Sequence, residues 1–304
     1  MPRIDPITLR VFIAVVDSGT IAAAAAQEHL VPAAISKRIR ELEQQLDLQL
    51  LVRTNKGVEP TTAGMALCAY ARRVLGDLEQ IPAMLKGYGE GTHGVVRIHA
   101  SLSATAQFLP ADLSAFLKRY PHVELQMHES SSVAVTDLVA ENVADIGVFT
   151  NAPPREGLLT TEYDEDRLSL CVPLSHAFAG REGIDLADAL DEQLVGMPPN
   201  NAIGLLLART AATSGKPLKV RIQVQSFEAM FAMISEGLGV GVMPDTVIRR
   251  SARAFAVTAI PLTNEWARRR FFICRRNDSH LHSPAGLLND HLHFCAMKRR
   301  GIHT

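Results

Sequence analysis

The chain has 304 residues, 47% of them hydrophobic and 21% charged, which is typical of a soluble globular protein and long enough for two domains. Its formal net charge of −1 excludes a protein that is basic throughout, so any nucleic-acid binding must come from a local patch. The N-terminus has no long apolar stretch, and the chain has no apolar run long enough for a membrane span, so we expect a cytoplasmic protein without a membrane partner.

The first thirty residues predict two short helices. Asp5-Pro6 is typical of a helix N-cap followed by proline at the first helical position. Ser18-Gly19-Thr20 predicts the end of this helix at a glycine and the start of a second helix at a threonine cap. The second helix, IAAAAAQEHL, is rich in alanine, so a neighbouring helix can approach its backbone closely. Pro32 then begins a third helix.

The third helix has one apolar face and one cationic face. Its apolar stripe is formed by Ile35, Ile39, Leu42 and Leu46. The opposite face carries Ala33, Ser36, Lys37, Arg40 and Gln44, with Arg38 on its flank. Taken alone, a charged face of this kind is more often a solvated helix surface. Its short connection to the preceding helix, however, is typical of a helix-turn-helix, in which the second helix reads DNA.

A small basic hairpin is predicted after the third helix. The segment DLQLLVRTNKGVEPTTAG predicts a short strand, an Asn-Lys-Gly turn and a second strand. Helix and hairpin together carry five cations in an otherwise charge-balanced segment: Lys37, Arg38, Arg40, Arg53 and Lys56. The pattern therefore predicts that these five residues, with Ala33 and Ser36, contact double-stranded DNA through a basic helix and a basic wing.

This order of elements resembles the LysR-type transcriptional regulators. The resemblance rests on GTIAAAAAQEHL, AAISKRIRELEQQLDLQLLVR and NKGVEPTTAG, and it extends over essentially the whole chain. It implies an N-terminal all-α winged helix-turn-helix domain with a long linker helix. It also implies a C-terminal α/β effector domain of two subdomains, similar to a periplasmic binding protein.

The chain departs from the family pattern at the start of the third helix. The family usually has Ser or Thr followed by Gln where this chain has Val31 and Pro32. Valine is a poor helix cap and proline cannot donate a hydrogen bond. Base reading is therefore not carried over to these two positions, and an atypical operator preference is expected.

A long fourth helix is predicted to begin at Thr61 or Thr62. Its apolar residues predict a coiled-coil seam: Leu67, Tyr70, Val74, Leu78, Ile81 and Leu85. Packing against its own domain is the alternative explanation, whereas the family resemblance implies pairing with a second subunit through Leu67 to Ile81. Pro82 is expected to kink or end the helix, and GYGEGTHG at residues 87–94 predicts a hinge.

Beyond residue 94, strand and helix patterns alternate, which predicts a parallel sheet. The predicted strands are VVRIHA, VELQMHE, ADIGVF, LSLCVP, LVGM, VRIQVQ, GVGVMP and FAVTAIPL, and the predicted helices include residues 110–120, 202–214 and 227–237. Together with the resemblance, this predicts a DNA-binding domain at 1–60, a linker at 61–90 and an effector-binding domain at 91–304. The effector domain is expected to divide into subdomain I, at about 91–163 and 266–304, and subdomain II, at about 164–265.

Ligands of such folds bind where the carboxyl ends of strands meet the N-termini of helices. Residues directly after the predicted strands are therefore candidate effector contacts: Ser101, Ser103, Ser130, Phe149, Asn200 and Phe227. Hydroxyl and amide groups with few charges suit a small organic carboxylate. For any single serine, helix capping alone is the simpler explanation.

Other features predict no catalysis, cofactor or metal. The His-Leu-His motifs at 280–282 and 291–293 lack a Cys/His frame, and the four cysteines are far apart and predict structural thiols. The basic segment RRRFFICRR is interpreted as solvated.

The sequence thus predicts a ligand-responsive regulator that acts on promoter DNA as a dimer or tetramer, with RNA polymerase as a further partner. Two alternatives stay open. One is a solute-binding protein or enzyme on the same bilobal fold, and the other is an architectural DNA binder that has lost its effector response.

Overall fold

The computed structural model describes residues 4–54, 57–90, 92–151, 154–277 and 283–301. The chain divides into two compact units, the first comprising Met1–Val95 with Glu141–Val143 and the second comprising Val96–Ala140 with Ala144–Thr304. The candidate DNA-binding residues lie in the first unit and the candidate effector residues lie in the second.

The first unit is helical apart from one hairpin. Its elements are α1 (Pro6–Ser18), α2 (Ile21–Gln27), α3 (Pro32–Leu46), β1 (Leu51–Thr54), β2 (Gly57–Pro60) and α4 (Thr62–Glu90). Asp5 accepts a hydrogen bond from the Thr8 N–H at 2.9 Å, and Thr20 accepts one from the Ala23 N–H at 3.2 Å, so both predicted caps form. Gly19 has a φ of 67°, a left-handed conformation that glycine adopts without strain. The predicted winged helix-turn-helix is confirmed, with α3 as its second helix.

The wing is fixed to the helices by hydrogen bonds that backbone N–H groups in and next to its strands donate. Strands β1 and β2 pair antiparallel over their whole length. The Val58 N–H donates to the Gly19 carbonyl at 2.8 Å. At the end of α3, the Glu43 carboxylate accepts hydrogen bonds from the backbone N–H groups of Leu50 at 2.8 Å and Leu51 at 3.1 Å. The hairpin is therefore held to α3 and to the turn between α1 and α2.

Helix α4 is longer than the sequence predicts. It continues past Pro82 and through Gly87 to Glu90, so Pro82 does not end the helix and the predicted hinge begins inside it. Proline removes one N–H donor from the helix interior, a loss that the other turns of a 29-residue helix accommodate. Thr61, not Thr62, caps the helix, because its hydroxyl accepts a hydrogen bond from the Gly64 N–H at 3.0 Å.

The rest of the chain alternates strands and helices: β3 (Gly94–Ala100), α5 (Leu102–Gln107), α6 (Leu109–Arg119), β4 (Val123–Glu129), α7 (Ser132–Ala140), β5 (Ile146–Thr150), β6 (Leu158–Pro173), α8 (Leu186–Ala189), β7 (Leu194–Gly196), α9 (Ala202–Thr213), β8 (Val220–Gln223), α10 (Phe227–Ser235), β9 (Gly241–Pro244), α11 (Asp245–Phe255), β10 (Val257–Pro261), β11 (Arg268–Arg276) and α12 (Pro284–Arg299). A short 3-10 turn, Glu265–Ala267, precedes β11. Each strand and helix predicted after residue 94 forms, although β6 begins well before the segment LSLCVP.

The main sheet is mixed, so the prediction of a parallel sheet is wrong for much of it. The strand order is β10-β6-β11-β5-β3-β4, and β9 also pairs with β6. β3 and β5 are parallel, as are β7 and β8 in a small separate sheet. β11, however, pairs antiparallel with both β5 and β6. The alternation of strands and helices does not show in which direction these two long strands cross the sheet.

Two hydrophobic cores lie along β6. Up to Arg167 this strand pairs with β11, and from Leu168 onward it pairs with β9 and β10. One core contains Phe116 and Phe271, between β3, β5, β11 and the helices α6 and α12. The other contains Phe231, with residues of β7, α9, α10 and α11. Both groups of elements contribute residues to the candidate ligand cavity.

Candidate DNA-binding surface and ligand cavity

Helix α3 buries its apolar stripe and exposes its cations. The buried residues are Ile35, Ile39 and Leu42. On the opposite face Ala33, Lys37 and Arg40 are exposed, and Ser36 is half-buried. The Lys37 ammonium lies 3.7 Å from the Glu41 carboxylate one turn further on. Because this ion pair is exposed to solvent, it contributes little to stability and does not fix the position of the Lys37 ammonium.

Arg38 is engaged within the domain. Its Nη1 donates to the Thr8 hydroxyl at 3.1 Å and lies 3.8 Å from the Asp5 carboxylate, at the start of α1. Hydrogen bonds from Thr8 lower the pKa of Asp5, so this carboxylate is ionised at neutral pH. Arg38 therefore ties α3 to the start of α1.

The wing carries one described cation. Arg53 on β1 is exposed. Lys56, the other predicted cation of the wing, lies outside the described residues. Because the Val58 N–H holds β2 to the turn before α2, the wing presents Arg53 from a fixed position relative to the helix-turn-helix.

A row of apolar side chains on α4 is exposed to solvent in the single chain: Tyr70, Val74, Leu78 and Ile81. Their spacing of four, four and three residues places them on one side of the helix. Leu67, which the sequence predicts as part of the same row, is half-buried and packs against the core of the first unit. An exposed apolar row of this kind is typical of a helix that pairs with another helix.

A cavity of about 340 Å³ opens at the carboxyl ends of β3, β4 and β5. It is lined by Ser101, Leu102, Ser103, Glu129, Ser130, Ser131, Ser132, Thr150, Met197, Pro198, Asn200, Asn201, Ala202, Gln225 and Arg269. Four of the six predicted effector contacts are thus brought together here, namely Ser101, Ser103, Ser130 and Asn200. The lining is dominated by hydroxyl and amide groups.

The two predicted aromatic contacts are buried away from the cavity. Phe149 lies in a small apolar cluster between α7 and β5 and packs against Phe272, with ring centroids 5.8 Å apart. Phe227, the first residue of α10, is buried in the same core as Phe231. Thr150, which follows Phe149, and Gln225, two residues before Phe227, line the cavity. On the strand β5, successive side chains point to opposite faces, so a residue that faces the core is followed by one that faces the cavity.

Three helices begin at the cavity wall, namely α5, α7 and α9. The Asn201 side chain caps α9 by accepting a hydrogen bond from the Ile203 N–H at 2.9 Å. The Ser132 hydroxyl, at the start of α7, accepts one from the Thr150 N–H at 3.2 Å. The Ser101 hydroxyl, before α5, is buried and has no hydrogen-bond partner within the described ranges. Because a buried hydroxyl without a partner is unfavourable, Ser101 is a candidate donor to a bound ligand.

His99 orients Ser130 from the neighbouring strand. Its Nδ1 lies 2.9 Å from the Ser130 hydroxyl, and its ring stacks on His128 with centroids 5.1 Å apart. Burial, and then the nearby His128, lower the pKa of His99. The ring is therefore neutral at pH 7, and Ser130 is held by a neutral partner.

Arg269 is a cavity residue that sequence reasoning missed. The interpretation of RRRFFICRR as solvated is wrong for this residue, because the side chains of Arg269 and of Asp166 on β6 are each only 1% exposed. Arg269 Nε donates to Asp166 Oδ1 at 2.9 Å, and its Nη2 donates to the Ser103 hydroxyl at 3.1 Å. The buried ion pair therefore supports part of the cavity wall.

The alternation of β11 contained a signal for this position. Arg269, Phe271 and Ile273 all lie on the buried face of the strand. Arg268 and Arg270 point the other way and form surface ion pairs with acidic residues of β6. An arginine in phase with buried apolar residues predicts a buried ion pair, which a count of positive charges does not.

Hydrogen bonds connect this wall to α11. The side-chain amide of Gln107, at the end of α5, makes both contacts. Its Nε2 donates to Asp166 Oδ2 at 2.8 Å, and its Oε1 accepts a hydrogen bond from the Thr246 hydroxyl at the start of α11. Arg250 on α11 donates to the Ala106 carbonyl at 2.7 Å. These hydrogen bonds join α5 and the cavity wall to α11.

The thiols are set for a structural role. Burial raises the pKa of Cys171 and of Cys274 to about 12, which disfavours the reactive thiolate.

His291 packs on α6, with its Nε2 2.9 Å from the Asp112 carbonyl. The first His-Leu-His motif lies outside the described residues. In the part of the chain that the structure describes, no group of three or more His, Cys, Asp or Glu side chains could hold a metal, and no helix is long and apolar enough to cross a membrane.

These features define a class of protein, in which a winged helix-turn-helix domain is joined by a long helix to an α/β ligand-binding domain. Residues 7–65 match the bacterial regulatory helix-turn-helix proteins of the lysR family, and residues 89–294 match the LysR substrate binding domain. The chain therefore belongs to the LysR-type transcriptional regulators. It is a regulator and not an enzyme.

Relatives and solved structures agree with this assignment. The probable RuBisCO transcriptional regulator of Cyanidioschyzon merolae is 30% identical over 239 residues, which cover 76% of this chain and 78% of the relative. The nitrogen assimilation regulatory protein Nac of Escherichia coli is 27% identical over 243 residues, which cover 79% and 78%. Full-length CbnR in complex with its target DNA superposes with a TM-score of 0.66 at 20% identity, covering 96% of this chain and all of CbnR. Full-length BenM gives 0.60 at 22% identity over 99% of each chain. At these identities the structures show the shared fold.

Proposed function

We propose that this protein is a ligand-responsive regulator that binds partly symmetric promoter DNA as a homodimer or tetramer, in the cytoplasm and with RNA polymerase as a further partner. The observation that carries the DNA-binding part is the concentration of exposed cations on α3 and the wing, in a chain whose net charge is only −1. In this proposal residues 1–60 bind DNA, residues 61–90 join two subunits and residues 91–304 bind the effector. Two DNA-binding domains joined through α4 would place their two α3 helices on the two half-sites of the operator.

The proposed DNA contacts are Ala33, Ser36, Lys37, Arg40, Arg53 and Lys56, with Arg38 as the positioning residue. Small and hydroxyl side chains allow α3 to approach the base edges, and the flanking cations bind phosphates. Sequencing of genomic fragments enriched by the purified protein at physiological salt tests this directly. A few enriched sites with dyad symmetry would support a specific regulator. Broad enrichment without a shared site would contradict it and favour an architectural DNA binder.

The affinity for the enriched operator is expected to fall steeply with salt. If two subunits neutralise about eight phosphates, the slope of log affinity against log salt concentration is roughly −7. Replacing both Arg40 and Arg53 by alanine removes four of these contacts from a dimer, so the slope should become less steep, at roughly −4. Fluorescence anisotropy between low and physiological salt measures both slopes. Lys118→Ala, which removes an exposed cation from α6, is the matched control and should keep the wild-type slope. A nearly flat salt dependence of the wild type would contradict DNA binding through the cations of α3 and the wing.

The proposed effector is a small organic carboxylate held in the cavity at the start of α5, α7 and α9. An ionised carboxylate only accepts hydrogen bonds, and its two oxygens can take several of them. The cavity wall offers donors of the required kind: the Ser101 hydroxyl, which has no partner among the described residues, the Ser131 hydroxyl and the Asn200 amide. N-terminal helix turns add backbone N–H groups and a favourable potential for an anion. In this proposal, a ligand held there changes the hydrogen bonds that join Gln107 to Asp166 and to Thr246 on α11. This change alters the distance between the two DNA-binding domains of a dimer.

Small carboxylates are expected to raise the melting temperature of the protein, whereas the corresponding primary amides are not. For a carboxylate that binds, Ser101→Ala should weaken the affinity about tenfold, because a hydrogen bond to a charged group is lost. Isothermal titration calorimetry measures the change. Ser214→Ala is the matched control, since this serine is exposed at the opposite end of α9. Equal affinity of the Ser101→Ala and Ser214→Ala variants would show that the buried hydroxyl does not hold the carboxylate.

A further inference from the structure

The start of helix α3 exposes a run of apolar side chains next to its cations. Leu30 and Val31 are 37% and 66% exposed, and Pro32 and Ala33 are exposed as well. None of these residues belongs to the hydrophobic core of the first unit, to which α3 contributes Ile35, Ile39 and Leu42. The run therefore does not stabilise the domain by burial, and contiguous exposed apolar surface indicates contact with a partner.

Val31 and Pro32 cannot read a base by hydrogen bonding. Val31 is the N-cap of α3 but its side chain accepts no capping hydrogen bond, and its carbonyl already accepts one from the Ala34 N–H at 3.0 Å. Pro32 has no N–H to donate. In a helix-turn-helix, however, the N-terminal residues of the second helix are those that reach the base edges. An apolar side chain at this position is complementary only to an apolar feature of the DNA.

The major groove offers one apolar feature that distinguishes base pairs, the C5-methyl group of thymine. The exposed cations Lys37 and Arg40 on the same helix supply the phosphate attraction that would bring the run into the groove. We infer that Val31 contacts the C5-methyl group of a thymine in each operator half-site and so determines specificity at that base pair. The inference rests on the proposed function, that α3 binds operator DNA.

Substitution of deoxyuridine for thymine tests the inference, because it removes only the methyl group. Each thymine of the operator enriched by wild-type protein is replaced in turn, and the dissociation constant is measured by fluorescence anisotropy. At one thymine of each half-site, uracil should raise the dissociation constant about fourfold, which corresponds to the loss of one buried methyl-sized group. Changing that thymine in both half-sites removes two such groups and should raise the dissociation constant about fifteenfold. Loss of less than a factor of two at every thymine would overturn the inference.

The Val31→Ser variant shows whether Val31 is the residue responsible. Serine is a good helix cap, so this variant should keep its fold. It should bind the thymine and uracil operators equally, whereas the control Val133→Ser, at an exposed valine of α7, should keep the wild-type preference. A Val31→Ser protein that still prefers thymine would assign the methyl contact elsewhere and overturn the inference. Failure to enrich any operator would contradict the proposed function itself, and it would be seen before any uracil is introduced.

Discussion

Replacing Arg269 by methionine is expected to destabilise the ligand-binding domain by roughly 3–5 kcal/mol. The substitution leaves the Asp166 carboxylate, which is 1% exposed, without its cationic partner. Methionine fills much of the arginine volume, so the loss of stability would come from the unpaired Asp166 charge and not from a cavity. The remaining hydrogen bond from Gln107 to Asp166, at 2.8 Å, offsets only part of this cost. A change of this size lowers the melting temperature by roughly 10 °C for a domain of this length, which thermal unfolding followed by circular dichroism measures.

The neighbouring residue provides a matched control. Arg268 lies next to Arg269 on β11, is exposed, and forms a surface ion pair with Glu165. Arg268→Met should therefore melt at nearly the wild-type temperature, because exposed ion pairs contribute little. The double variant Arg269→Met/Asp166→Leu should recover much of the lost stability, since both buried charges are then removed. Equal melting temperatures for Arg269→Met and Arg268→Met would show that the buried ion pair does not hold β6 to β11.

The N-terminal fold could be predicted because its signals are local. Asp5 and Thr20 act as caps on residues three positions further on, and Gly19 supplies a left-handed turn between two helices. The apolar stripe of α3 is likewise contained within fifteen residues. Of the predicted kink or end at Pro82, the end is wrong, because a proline breaks helices only on average and α4 continues on both sides of it. Local signals thus fix where elements start more reliably than how far they run.

The ligand cavity could be predicted only in part. Ser101, Ser103, Ser130 and Asn200 were found because they follow strands, and strand ends meet at one edge of the sheet. Phe149 does not line the cavity, because side chains alternate between the two faces of a strand and Thr150, the last residue of β5, is the one that faces the cavity. The alternation of β11 indicates that Arg269 is buried, but it does not identify the ion-pair partner, because Asp166 is 103 residues away along the chain. The pairing of β6 with β11 brings the two side chains together, and the order of elements alone does not determine that pairing.

Substitution of the exposed seam on α4 is expected to have the largest effect on DNA binding. Val74 and Leu78 are 45% and 41% exposed in the single chain, so Val74→Gln/Leu78→Gln should leave the fold of the subunit intact. If α4 pairs with α4 of a second copy, the two glutamines place polar groups in a buried apolar seam and favour the monomer. A monomer engages one half-site at a time, so the affinity for the full operator should fall by about 10² to 10⁴.

Molar mass by light scattering and operator affinity by anisotropy, measured on the same samples, separate the possible causes of this loss. Met65→Gln is the matched control, because Met65 is 56% exposed on the same helix but lies on the side opposite the seam. It should keep both the oligomer mass and the affinity of the wild type. A Val74→Gln/Leu78→Gln protein that becomes monomeric but keeps its affinity for a single half-site would show that the cations of α3 and the wing bind DNA independently, with α4 supplying only the linkage. The same variant with unchanged mass and unchanged operator affinity would contradict a role of α4 in pairing, and the exposed apolar row would then need another partner.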